Sequence, residues 1–198
     1  MLPVFTKELN HFKRSIDSLK LIKGGTLAAI KPYKTADVKV LSETESYIIA
    51  KDAALFTDTT VKIKEVAAQL SGLKGIKLSK AQQIKNGTEI KFNANSPVKL
   101  LVGFFNQKNP QYLAPPQLET DASANNYGQS EIKISNALVP YGFPPVNVHA
   151  YAFPAGTHTL NLGKGVCLVL GFINDKQELR IFNAGLDGRG KDIDWLFE

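Results

Sequence analysis

The chain has 198 residues, 43% of them hydrophobic, a net charge of +6 and one cysteine. That length can bury a full core, hiding roughly 70% of the unfolded surface. One cysteine excludes an internal disulfide, and no apolar run approaches the roughly 20 residues of a membrane-spanning helix. The charge is uneven: residues 1–40 hold eight Lys/Arg against three Asp/Glu, and the rest hold sixteen against fifteen. The body therefore lacks the dense basic surface on which nucleic-acid affinity rests.

Phe5, Leu9, Phe12, Ile16 and Leu19 recur at helical spacing and predict an N-terminal amphipathic α-helix, with Lys7, Lys13, Arg14 and Lys20 off its apolar stripe. Gly24-Gly25 suits its end. Residues 1–37 read as helix and linker, and residues 38–198 as the main domain. The N-terminus lacks the basic-then-apolar layout of a signal peptide, and the reading favours a fragment of a longer protein.

From Val38 onward the period shortens. Ile76 and Leu78 flank Lys77, and Ile90 and Phe92 alternate with Glu89 and Lys91, as in half-buried strands. Val98–Phe105 is apolar on both parities, which predicts a central strand covered on both faces. Strands are also expected at Val146–Phe153, Thr157–Leu162, Val166–Ile173, Glu178–Phe182 and Ile193–Phe197, with a turn at Asn174-Asp175-Lys176. Many short strands and one clear helix indicate an all-β domain, an antiparallel β-sandwich or jelly roll. Cys167 lies in an apolar run, where a free cysteine behaves as a small buried hydrophobe.

The segment Asn106–Pro145 departs from this pattern. It holds six of the ten prolines together with Tyr112, Tyr127, Tyr141 and Phe143, and few charges. Glu131-Ile-Lys-Ile134 alternates and splits it with a short strand, leaving two proline-aromatic lips, around Tyr112 and around Tyr141–Phe143. Long loops inside a domain are usually functional or disordered. Exposed rings offer flat area at low entropic cost for the C–H faces of a sugar; the alternative is that they fold inward and anchor the loop. In the strand Val146–Phe153, Val146, Val148, Ala150 and Ala152 share one face, while Asn147, His149, Tyr151 and Phe153 share the other. The second face can stack on a sugar and bond its hydroxyls, or pack on a neighbour. The candidate ligand-binding residues are Tyr112, Tyr127, Tyr141, Phe143, Asn147, His149 and Tyr151.

Several short signatures occur in a familiar order: Leu55-Phe56-Thr57-Asp58, Leu70-Ser-Gly-Leu-Lys-Gly-Ile76, Ile90-Lys-Phe92 leading to Pro97-Val98 and Leu101-Val102, then Phe153-Pro-Ala-Gly156 and Leu160-Asn-Leu-Gly163. Over residues 40–175 the chain resembles galactose-binding-like, discoidin-type β-sandwich accessory modules of secreted bacterial polysaccharide-degrading proteins. The resemblance implies a secreted, periplasmic or cell-surface setting, a glycan as partner and an adjoining catalytic domain. It also implies that the module is not itself the catalytic part.

Glycoside hydrolysis generally needs two opposed carboxyl groups. Asp192 and Asp194 flank Ile193 and share one face of a strand, so a glycoside hydrolase or polysaccharide lyase stays open beside a structural or protein-interaction domain. Asp187, Asp192 and Asp194, near two glycines, are oxygen ligands a structural calcium could use; Asp121, Asn125 and Asn126 are a second set of this kind. His11, His149 and His158 lack zinc-motif spacing, and neither a phosphate loop nor a Gly-x-Ser-x-Gly elbow occurs. No other cofactor is expected.

Overall fold

The computed structural model describes residues 31–117 and 130–187. The expected N-terminal helix and the strand Ile193–Phe197 lie outside them.

The described body is dominated by strands arranged in two sheets. The smaller sheet has the order β1 (Val38–Val40), β5 (Thr88–Ala94), β9 (Gly156–Leu162), all antiparallel. The larger has the order β11 (Phe182–Asn183), β7 (Ile132–Pro140), β8 (Val146–Phe153), β6 (Val98–Phe105), β10 (Leu168–Asn174), β4 (Lys74–Lys77), β2 (Glu45–Ile48), and β3 (Ile63–Val66) also pairs with β7.

The apolar run Val98–Phe105 is the central strand β6, bonded to β8 on one side and β10 on the other. Its even-numbered residues Val98, Leu100, Val102 and Phe104 enter one core with Ile90, Phe92 and Leu160 of the smaller sheet. Leu101 and Phe105 point oppositely, into a core completed by Leu55, Phe56, Ile63, Leu70 and Leu73. Both faces are covered because both parities are apolar, and each fully buried side chain of this size contributes about 1.5–3 kcal/mol. In β5, Ile90 and Phe92 are buried and Glu89 and Lys91 exposed, as the alternation requires.

Three elements differ from expectation. The short strand expected near Glu131 runs the full length Ile132–Pro140, because β3, β8 and β11 all pair with it. The strand expected at Glu178–Phe182 shrinks to Phe182–Asn183, and it pairs parallel to β7, so the larger sheet is not purely antiparallel. Before it, the chain is tied by a side chain instead of a ladder: Gln177 accepts from Lys34 N–H through Oε1 and donates to Lys34 O through Nε2, both at 2.8 Å.

The third difference is a short helix, α1 (Lys80–Asn86). Ser79 Oγ caps it by accepting from Gln82 N–H at 3.2 Å, and Asp58 accepts from the Ser79 hydroxyl, Lys80 N–H and Ala81 N–H at 2.7–2.8 Å. Partial burial pushes the Asp58 carboxyl up, but these hydrogen bonds outweigh it and hold it below the usual value. Gln83 turns inward from α1. Its side chain bonds the Cys167 carbonyl at 3.1 Å and Cys167 N–H at 3.3 Å. Cys167 is buried as expected, and burial pushes its thiol up to about 12, so it is inert as a nucleophile.

Candidate functional site

The first proline-aromatic lip leaves the end of β6 and returns along the start of β10. Leu113 N–H donates to Val166 O at 3.1 Å and Val166 N–H donates to Gln111 O at 2.8 Å, a short parallel bridge centred on Tyr112 and Val166. Strand-like alternation then sends Tyr112 against one core and Leu113 into the other. Gly165 makes this approach feasible: its φ is +130°, and a Cβ there would lie 2.5 Å from Leu113 N. The Tyr112 ring stacks beside Phe105 at 4.4 Å between centroids, and burial raises its phenol above the usual value.

Between this lip and the ends of β6, β7 and β8 lies a cleft of about 750 Å³. Tyr112, Pro110, Pro115 and Pro116 form one side; Ile132, Asn147 and His149 form the other. Asn106, Gln107 and Asn109 supply amides, and Lys108 is the one charged residue among its described lining. This size and mixture suit a small organic ligand, with apolar walls and a few polar groups to orient it.

One edge of the cleft is set by a bulge in β7. Asn136 sits at φ +46°, where the β7–β8 register shifts, and its N–H donates to Asn147 Oδ1 at 2.9 Å. Asn106 Nδ2 donates to Asn136 Oδ1 at 2.7 Å, and Asn136 Nδ2 donates to Asn183 Oδ1 at 3.2 Å. Asn147 thus holds the bulge as well as lining the cleft. His149 is 2% exposed and meets Phe104 edge-on at 5.0 Å, so it forms the base of the cleft and not a rim.

A second hollow of about 550 Å³ adjoins the first. Phe104, Leu113, Ala114 and Pro116 line both, so the Leu113–Pro116 segment is their common wall. Tyr151 and Phe153 of β8 lie at its base, and Thr159 and Asn161 of β9 stand exposed at its side. His158 is fixed there by donating from Nε2 to the Pro154 carbonyl at 2.9 Å, with Phe153 beside it at 5.3 Å.

The structure therefore brings Tyr112, Asn147 and His149 together and places Tyr151 in the adjoining hollow. Phe143 lines neither; it tucks against Phe105 at 5.5 Å and Phe56 at 6.3 Å, with Lys80 Nζ 5.1 Å from its ring centre. Tyr141 is exposed and lines neither hollow; its hydroxyl is 3.4 Å from Asp52 Oδ1. Tyr127 lies outside the described residues. Sequence reasoning missed Ile132, His158 and Asn161 as site residues: Ile132 opens β7 ahead of its pairing with β11, and the other two lie on β9 at the edge of the smaller sheet. Of the calcium candidates, Asp187 is exposed, while Asp192, Asp194, Asp121, Asn125 and Asn126 lie outside the described residues. Among the described residues no three His, Cys, Asp or Glu side chains converge on a metal-sized site.

No protein-family model matches the sequence, and no curated protein matches it significantly. Among solved structures, the chain is similar to part of one described as a GH138 enzyme targeting pectin rhamnogalacturonan II, with 36% identity and a TM-score of 0.78. The match covers 98% of this chain and 22% of that one. No helix among the described residues is long and apolar enough to cross a membrane.

Proposed function

We propose that this chain is a non-catalytic, glycan-binding accessory module of a secreted glycan-degrading protein, built as a β-sandwich of the galactose-binding-like kind. The observation that carries the reading is its 36% identity, over nearly its whole length, to about a fifth of a much longer pectin-targeting enzyme. The packing of the smaller sheet on one face of the larger supports the sandwich. The cleft supports binding: an aromatic ring, prolines and Ile132 offer surface to C–H groups, and Asn106, Gln107 and Asn109 offer donors and acceptors to hydroxyls.

A glycan array that includes pectic, neutral and other acidic polysaccharides tests this. Binding confined to plant cell-wall glycans, and reduced about tenfold or more by Tyr112→Ala with the fold intact, is the expected result. A flat response across the array contradicts it. Exposed Ile48, 56% accessible on the edge strand β2, favours a second reading, a module that packs on a neighbouring domain. Association with the remainder of the full-length protein, abolished by Ile48→Lys while glycan binding is absent, is the result that selects it.

A further inference from the structure

We infer that the two hollows are subsites for one extended glycan chain, so that the ligand is an oligosaccharide segment and not a single terminal sugar. This rests on the glycan-binding reading and specifies its ligand. Asn147 and His149 lie at the first hollow, and Tyr151 and Phe153 at the second. These four residues occupy alternate positions on one face of β8, with the Leu113–Pro116 segment as the wall shared by the two hollows, so a chain filling both follows the line of β8 and passes over that segment. Six residues of strand separate Asn147 from Phe153, about 20 Å at 3.3 Å per residue. That is several sugar units long.

The chemistry repeats along this line. Each hollow pairs an aromatic or prolyl surface with side-chain amides: Tyr112 and Pro110 with Asn109 and Gln107 in the first, Phe153 and Pro154 with Asn161 in the second. A polymer of similar units meets similar surroundings at each step, which one compact ligand does not require. The walls are held rigidly, the first by the Gln111–Leu113 bridge to Val166 and the second by the seven-residue pairing of β9 with β5. A preordered surface of this kind lowers the entropic cost of binding a flexible chain.

The test is calorimetric titration of the whole chain with pectic oligosaccharides fractionated from monosaccharide to decasaccharide. Two variants at exposed positions, Gln107→Trp in the first hollow and Asn161→Trp in the second, block one subsite each without touching the core. Affinity is expected to rise about tenfold or more from the shortest to the longest fraction, since linked subsites act as one. Each variant is expected to return the longest fraction to the affinity of a short one. Binding independent of length, or unaffected by Asn161→Trp, overturns the two-subsite inference and leaves the single-cleft reading standing. Absence of binding at every length overturns both.

Discussion

The two proline-aromatic lips have similar composition, and a ring from each, Tyr112 and Phe143, packs on one core beside Phe105; they differ in what lies next to the ring. Around Tyr112 the chain is bridged to Val166, and its half-buried ring lines an open cleft together with Pro110, Pro115 and Pro116. Around Tyr141–Phe143 the chain makes a tight turn between β7 and β8, with Phe143 N–H donating to Pro140 O, and the Phe143 ring fills a gap between Phe56 and Phe105. Aromatic content alone does not separate a binding surface from an anchor. The neighbouring backbone does, by leaving a cleft beside one ring and closing a tight turn around the other.

Glycine substitutions break the comparison most sharply. Gly165→Ala forces a Cβ to within 2.5 Å of Leu113 N at a φ that side chains avoid, and is expected to cost about 2–4 kcal/mol in denaturant unfolding and to displace the first lip. Gly142→Ala in the second lip meets nothing within 4 Å and carries only left-handed strain, about 1–2 kcal/mol.

The rings themselves come next. Phe143→Ala is expected to lower stability by about 2 kcal/mol, below the 3–5 kcal/mol of a fully buried Phe, and to leave glycan affinity unchanged. Tyr112→Ala removes a ring likewise half-buried against Phe105, and is expected to lower stability by a similar amount and to bring about a tenfold or greater loss of affinity. Unfolding and titration of the same two proteins read both quantities.

Acid sharpens the difference further. The Asp58 carboxylate caps α1, whose Lys80 covers Phe143. Its folded value lies below the usual 3.8, so this support is fully present above about pH 4 and is lost as pH falls through the folded value. The protection of the Lys80 and Ala81 amides, as exchange relative to the unfolded-chain rate at the same pH, is expected to fall there in the native protein, and to be already low at neutral pH in Asp58→Asn. The smallest effect belongs to Tyr141→Phe, which removes a hydroxyl contact of 3.4 Å and is expected to change stability by less than about 0.5 kcal/mol.

Much of the frame was legible because burial leaves a periodic trace. Val98–Phe105 and Val146–Phe153 match β6 and β8 end to end, and the two-faced division of β8 places Val146, Val148 and Ala150 in one core and Tyr151 in the other. The helix α1 was also written locally, in Ser79 and Gly87 around Gln83, but seven residues carry too little periodicity to be noticed without the cap from Asp58, twenty-two positions before Lys80. The site was legible only by composition. Tyr112, Asn147 and His149 do converge, yet what separates them from Tyr141 and Phe143 is the bridge to Val166 and the bulge at Asn136. Those are long-range pairings that residue types within the segment do not encode. Glu178–Phe182 shows the converse: its alternation is real, but a strand forms only where a partner runs beside it, and here that is the last residue and Asn183.

The most direct measurement of the binding surface is a two-dimensional amide NMR titration with a pectic oligosaccharide. Saturable shifts at Gln107, Tyr112, Ile132 and Asn161, with Tyr141 and Gly142 unmoved, are the expected outcome. Shifts concentrated at the Tyr141–Phe143 turn, or a spectrum unchanged at saturating ligand, contradict the assignment of the cleft as the glycan site.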